Sequence, residues 1–479
     1  MQILIFGIML LIVLAVGFYG YVKTKDLEDY YLAGRKLGVW LAAGSFGATY
    51  ISSVTIVGFT GTSYLRGYGF FAFLLIPIAI AWLVLYFIAG ELRRLGPVTV
   101  SEYLEQRFKS PFLSMWSAAI YLAILCIFVI LQLRGIGLVL QQLVGWEYST
   151  VVLLIGAILL LYTTFGGMTS VVWTDGIQFI ILWLGVSIGT IYIIVTQFGS
   201  VSNLNARLAL VTGGINNVSA GDLVSFNQGG SLTWLTIGSM VIFAVVASST
   251  LPYYLMRLFI CKDTLTAKGM IGVSGAFMVV FYTFIVLAGS AARVLEPNLQ
   301  SADHAFPLLM NNYLPPVLGG FVLSAVGAAI LSTADSALIA AGTIFSKDFY
   351  AKIKKDVSEQ QLFVISRIAT GTIGVLGMLL ALRPPKMMLD LWVFQAAVIG
   401  GAIAAPLYAG VFWKGAKKEG AIAGTVAGCI TAIIWDLNKP WGIAGAAAGA
   451  VIGLILLVVI SLAVKEKDAA STLTGSQSK

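Results

Sequence analysis

Charge, cysteine and histidine are all scarce in this chain of 479 residues. Only 10% of its residues are charged and 59% are hydrophobic, with a mean hydropathy of +0.95. Soluble domains carry about a quarter charged residues, so an ordinary water-soluble fold is excluded. The three cysteines, Cys126, Cys261 and Cys429, lie far apart without metal-ligand spacing. That argues against a disulfide framework or a thiolate metal centre. The lone histidine, His304, falls in a predicted loop and leaves no basis for a triad or a metal cluster. Walker and dinucleotide fingerprints are absent, and no nucleophile–base pair stands in the apolar segments, so no enzyme is expected.

What is present is a series of apolar runs, each long enough to cross roughly 30 Å of hydrocarbon with about 20 residues. They lie near 2–22, 39–63, 69–92, 112–142, 150–165, 172–197, 232–257, 270–293, 316–345, 362–382, 389–413, 420–436 and 441–464. The chain therefore reads as an all-α polytopic membrane protein with about 13 transmembrane helices. The first run lacks a basic n-region and a small-residue cleavage site, so it reads as a retained helix, not a signal peptide. With the N-terminus outside, 22 of the 29 Lys and Arg residues fall in cytoplasmic segments, among them Arg257, Lys355, Lys465, Lys467 and Lys479. Six, including Lys386 and Lys439, fall on the other side, and Arg134 lies within a span. This is a positive-inside pattern placing the C-terminus in the cytoplasm of a plasma-membrane protein. The formal charge of +8 is thus orientation; the expected partners are a lipid bilayer and a small-molecule substrate. Nucleic acid is excluded and no obligatory protein partner is evident.

Two spans carry interruptions. The second contains LAAGSFGATYISSVTIVGFTG, whose Gly, Ser and Thr content disfavours a continuous helix. The seventh carries SSTLP, where Pro252 removes a backbone donor and favours a break just ahead of it. Interrupted helices in corresponding halves point to a transporter site built on inverted repeats, with unwound carbonyls free to bind ions. The stretch Ser324–Tyr350 is one apolar helix with Ser332, Thr333, Asp335 and Ser336 set into it. Spacing puts 332, 335 and 336 on one face, with Thr333 a step round. Hydroxyls alone fit a helix-packing face. A carboxylate in the same turn shifts the reading to a small hard cation. Gln132 and Arg134 lie within the fourth span. Arg134 needs a carboxylate, a carbonyl cluster or water: either a structural partner such as an aspartate on a neighbouring helix, or a substrate carboxylate bound through a two-pronged contact. Asp175, near the start of the sixth span, either caps that helix or lies on an ion path.

With these residues assembled, the chain resembles the sodium:solute symporter family, which has a leucine-transporter-type fold. The likeness rests on YYLAGRKL, GATYISS…GFTG, TVSEYLEQRF, YTTFGGMTSVVWTDGIQ, LPYYLMRLFICKD and ILSTADSALIAAGTIFSKDFY taken together. It implies two inverted five-helix repeats with broken first and sixth core helices. The core would be 38–413, with an extra helix and loop at 1–37, two extra helices at 414–464 and a disordered cytoplasmic tail at 465–479. It implies Na+ as coupling ion at a first site made of the Ala48, Ile51 and Ala329 carbonyls and the Ser332 and Thr333 hydroxyls. It implies a second cation at Asp175, Asp335 and Ser336. The substrate is expected between the breaks, near Ser52, Ser53, Gln132, Arg134, Ser248, Ser249 and Pro252. The expected activity is sodium-coupled import of a small organic solute, such as a monocarboxylate, pantothenate or an amino acid, with a proton as the alternative coupling ion. A transporter-like membrane sensor is the remaining alternative, disfavoured by a tail too short to hold a signalling module.

Overall fold

The computed structural model describes residues 2–214, 217–354, 356–383, 388–438 and 440–464. The tail 465–479 expected to be disordered, with its Lys465, Lys467 and Lys479, and also Lys355, Lys386 and Lys439, lies outside the described residues. The described residues are helical, with two isolated β-bridges and no extended sheet.

The chain begins with α1 (Gln2–Lys23). The first interrupted span consists of α2 (Val39–Tyr50) and α3 (Phe59–Arg66), joined through a π-helical turn at Val54–Gly58. Its two halves bend by 59°. Next come α4 (Ile76–Leu95), α5 (Pro111–Val144) and α6 (Tyr148–Ile193). The second interrupted span is α7 (Trp234–Thr250) followed by α8 (Pro252–Phe259), bent by 52°. Then follow α9 (Thr264–Leu295), α10 (Pro316–Ile344), α11 (Glu359–Ala381), α12 (Met388–Phe412), α13 (Lys418–Asn438) and α14 (Gly445–Ala463).

Among the described residues, 10 helices are long and apolar enough to cross a membrane, or up to 12 when each bent pair forms one span. The difference from thirteen separate runs arises in α6. Its first arm contains only a shorter apolar helix, Tyr148–Leu161, and continues into the second arm through Gly167. Gly167 has φ +66, and a Cβ there would lie 2.4 Å from the Tyr30 ring, so glycine is required twice over. Counting the two arms of α6 separately, two sets of five elements emerge. Each set opens with an interrupted span: α2/α3, α4, α5 and the arms of α6, then α7/α8, α9, α10, α11 and α12. This is the two-repeat architecture of the leucine-transporter-type fold.

Burial follows composition. α10 is built from Ala, Gly, Ser and small aliphatics, and every residue from Val322 to Ile344 is buried. Such residues let backbones approach closely in lipid, where helix association depends on packing and not on expulsion of water. The helix ends are tied down by conventional caps. Ser110 accepts from Leu113 N with Pro111 at the first position of α5, and Asp263 accepts from Thr266 N at 2.7 Å to start α9. Beyond α10 the chain continues through a π-helical turn, Phe345–Tyr350. There buried Asp348 accepts from Thr99 Oγ1 at 2.8 Å, at the start of the short helix Val100–Phe108.

Candidate functional site

The first interruption is visible as a local failure of helical hydrogen bonding. Ile51 leaves the helical region at φ −85, ψ 84, and Ser52 N donates to Tyr50 O instead of reaching back to Ala48 O. Thr55 N donates to Ser52 Oγ at 3.4 Å, so Ile51 O is also released from the ladder. The two freed carbonyls meet α10. Thr333 Oγ1 lies 3.3 Å from Ala48 O, 3.3 Å from Ile51 O and 3.2 Å from Ala329 O. All four residues are fully buried. A hydroxyl carries one hydrogen, so it satisfies one of the three carbonyls at a time. The others form an electron-rich pocket of hard oxygens, suited to an alkali or similar hard cation.

Ser332, expected beside Thr333, turns the other way and donates to Asp175 Oδ1. Asp175 sits inside the second arm of α6, fully buried, and is not the cap of a helix. Its Oδ2 accepts from Ser45 Oγ at 2.6 Å and from Arg257 Nη2 at 3.0 Å. Arg257 also reaches Ser336 Oγ at 2.5 Å and Thr49 Oγ1 at 3.2 Å. The guanidinium therefore stands between Asp175 and Ser336, two of the three residues expected to share a second cation. The third, Asp335, accepts from Thr163 on the first arm of α6. The common face of 332, 335 and 336 is thus divided. At 100° per residue, 335 and 336 diverge enough for different neighbours to claim each.

Arg257 ends the apolar run 232–257 and counts among the cytoplasmic-side cations, yet it is fully buried on α8 and ion-paired instead of solvated. The signal in the sequence was the apolar run LFIC directly after it, which places the arginine inside an apolar segment. Arg134, considered for a substrate carboxylate, instead pairs with Asp303 Oδ2 at 2.9 Å, and both side chains are buried. Asp303 lies between α9 and α10. Burial raises its carboxyl above the ordinary range, while the nearby Arg134 charge pulls the other way.

The second interruption has the geometry its proline dictates. Leu251 is extended at φ −68, ψ 123, as a residue before proline prefers, and Pro252 opens α8. Tyr121 OH donates to the freed Thr250 O at 2.8 Å. Ser248 Oγ meets Tyr50 OH at 2.9 Å, which ties the two interruptions together, and Ser249 Oγ meets Tyr408 OH at 2.5 Å. Ser53 donates its N–H to Gln132 Oε1 at 3.0 Å and its hydroxyl to Leu131 O at 3.1 Å. α5 approaches this closely because residue 135 is glycine; a Cβ there would lie 2.2 Å from Ser53 Cβ. Around the breaks, Tyr50 stacks on Tyr254 with centroids 4.4 Å apart, and Tyr253 on Phe128 at 4.5 Å. Trp392 lies edge-on to Phe59 and Phe243. Among the described residues, Gln132 Nε2 is buried here with no hydrogen-bond partner, and Gln395 lies beside Tyr253 OH. Gln395 and the aromatic enclosure were not picked out from sequence. An apolar groove of about 410 Å³ between α4 and α9, with Leu83 and Val279 exposed in its lining, contains none of the candidate residues.

Known proteins resemble this chain over most of its length. The chain is 28% identical over 437 residues to the sodium/pantothenate symporter of Haemophilus influenzae, covering 88% of this chain and 87% of that one. It is 26% identical to the high-affinity proline transporter PutP of Bacillus subtilis, covering 88% of this chain and 89% of the relative. Among solved structures, a Na+-coupled sialic acid symporter in a substrate-bound outward-open state superposes with a TM-score of 0.83 at 21% identity, covering 97% of both chains. At that identity the likeness speaks for the fold alone. The model of the sodium:solute symporter family matches residues 30–428, and the chain belongs to that family.

Proposed function

We propose that this protein is a sodium-coupled secondary active symporter that imports a small organic solute. The observation that carries the reading is the group of three carbonyls, Ala48, Ile51 and Ala329, around the single Thr333 hydroxyl. Sodium is a transported ion in this scheme. It would draw the first interrupted span and α10 together, and Ser332 would join as a further oxygen only on leaving Asp175 Oδ1. Coupling follows if sodium and solute both favour the conformation in which these elements are assembled. A second cation at Asp175, Asp335 and Ser336 would require Arg257 to withdraw from Asp175 and Ser336. The symporter core is taken as 38–413, with 1–37 and 414–464 as additions. The charge asymmetry of the loops supports a plasma-membrane protein with its N-terminus outside and its C-terminus cytoplasmic.

The solute would lie between the breaks, near Ser52, Ser53, Gln132, Ser248, Ser249 and Pro252. The names of the pantothenate and proline relatives support a small carboxylate. The test is uptake of radiolabelled acetate, pyruvate, pantothenate and proline into proteoliposomes, with and without an inward sodium gradient. Accumulation of one of them that requires sodium is expected, with the Hill coefficient for sodium setting a lower bound on the number of coupled ions. Uptake driven equally well by a proton gradient without sodium would replace sodium with a proton.

A further inference from the structure

The cation pocket and the solute region are separate, and one side chain spans them. Gln132, on α5, is fully buried. Its Oε1 accepts the Ser53 N–H at 3.0 Å. That N–H belongs to the start of the second half of the interrupted span, where helical N–H groups have no partner of their own. The same bond fixes which way the amide faces, because only the oxygen can accept from Ser53. Nε2 is therefore directed away from Ser53, and it is buried without a partner among the described residues. A buried amide donor left unmade is unfavourable, and its neighbourhood is where a solute is expected. Two residues before Ser53 stands Ile51, whose carbonyl forms part of the cation pocket. Ser53 is further tied to α5, with its hydroxyl bound to Leu131 O at 3.1 Å and Gly135 packed against its Cβ.

We propose that Gln132 is the residue through which solute and sodium sense each other. Its Nε2 donates to an acceptor oxygen of the solute, a carboxylate, carbonyl or hydroxyl, while its Oε1 holds the unwound segment in the shape that aims Ile51 O at the cation. Resting on the symporter reading above, this inference adds a recognition chemistry to it. The contact is a neutral amide donor, since the guanidinium of Arg134 is engaged by Asp303 and that of Arg257 by Asp175. A solute that binds Nε2 immobilises the amide and so stabilises the Ser53 bond. Sodium at Ile51 O orders the same loop and so presents Nε2. Each ligand then raises the affinity of the other by the same factor.

The experiment uses the purified full chain and two variants that separate the two ends of the amide. Gln132→Glu keeps an acceptor for Ser53 N–H but replaces the donor, and Gln132→Leu removes both. Sodium binding is measured without solute, by intrinsic tryptophan fluorescence. The transport KM is measured for whichever of pantothenate, proline, acetate or pyruvate the wild type accumulates. Gln132→Glu is expected to keep its sodium affinity within about threefold and to raise KM about tenfold or more, the loss of one to two hydrogen bonds' worth of discrimination. Gln132→Leu is expected to weaken both. Its monodisperse elution in detergent checks that the fold survives. If Gln132→Leu binds sodium as the wild type does, or Gln132→Glu transports with an unchanged KM, the inference is overturned while the symporter reading stands. Absence of sodium binding by the wild type would overturn both.

Discussion

Removing the guanidinium of Arg257 tests the centre of the bundle most directly. Arg257 and Asp175 are both fully buried and joined at 3.0 Å. Breaking such a pair by deleting one partner typically costs about 3–5 kcal/mol, because the remaining charge stays buried without compensation. Here Asp175 would keep two hydroxyl donors, Ser45 and Ser332. That places Arg257→Gln near the lower end, at about 3 kcal/mol, or roughly a 150-fold change in the folding equilibrium. Ser336 and Thr49 would lose their donor as well. Arg257→Lys keeps the charge, but an ammonium on a flexible stem cannot serve three separated oxygens as a planar fork does. It should fall between wild type and Arg257→Gln. The double variant Asp175→Asn/Arg257→Gln removes both charges, and neutral amides can occupy the same space. It should be more stable than either single variant. Unfolding in mixed SDS micelles, followed by tryptophan fluorescence, gives the four free energies of the cycle. Additivity within about 0.5 kcal/mol would mean the two groups are uncoupled and would refute the account of this pair.

Three further outcomes are expected. Thr333→Ala leaves three carbonyls facing one another without a hydroxyl, and should raise the sodium concentration for half-maximal uptake about tenfold, one hydrogen-bond-scale interaction, with little loss of folded protein; an unchanged sodium titration would remove Thr333 from the site. Gly135→Ala puts a methyl 2.2 Å from Ser53 Cβ, overpacking of a kind that costs about 1–3 kcal/mol, and should lower the apparent Tm and uptake together; wild-type behaviour in both would show that α5 is free to withdraw. Burial raises the Asp303 carboxyl in the folded protein above its ordinary 3.8. The folded state therefore binds the extra proton, so this group's contribution is complete below about pH 3.8 and declines as pH rises through the raised value. Asp303→Asn should flatten that part of the Tm-against-pH curve, and an identical slope in the variant would exclude Asp303 as its source.

Much of the architecture was legible because lipid imposes strict rules on sequence. Apolar run lengths mark the spans, and the two interruptions followed from a Gly/Ser/Thr-rich centre and from Pro252. Ala48, Ile51, Ala329 and Thr333 lie together because the break itself places the backbone carbonyls, whereas Ser332, expected with them, donates to Asp175. Side-chain pairings were harder to foresee. Asp335 and Ser336 are adjacent in sequence, yet Thr163 claims one and Arg257 the other. Whether Arg134 faces an aspartate or a solute depends on where the loop containing Asp303 folds back, and no local periodicity records that. The pairing of Arg257 was not legible because positive-inside counting records which side a cation is on and not whether it is solvated. A carboxylate on another helix can hold one inside. The first arm of α6 reads as a run of its own, and the non-helical backbone at Gly167 divides it from the second arm.

The continuity of α10 has a mechanical consequence. Thr333, at the carbonyl pocket, and Asp348, bonded to Thr99, lie on one unbroken helical run that ends in a π-helical turn. At about 1.5 Å per residue they stand roughly 22 Å apart. A helix of closely packed small residues behaves as a stiff rod, so tilting it by about 5° at one end moves the other by roughly 2 Å, using that same rise. An ion bound at Thr333 as proposed would need no chain of side chains to be felt near Asp348. It would have only to change the angle of a lever whose far end is bonded to Thr99, at the start of the helix Val100–Phe108.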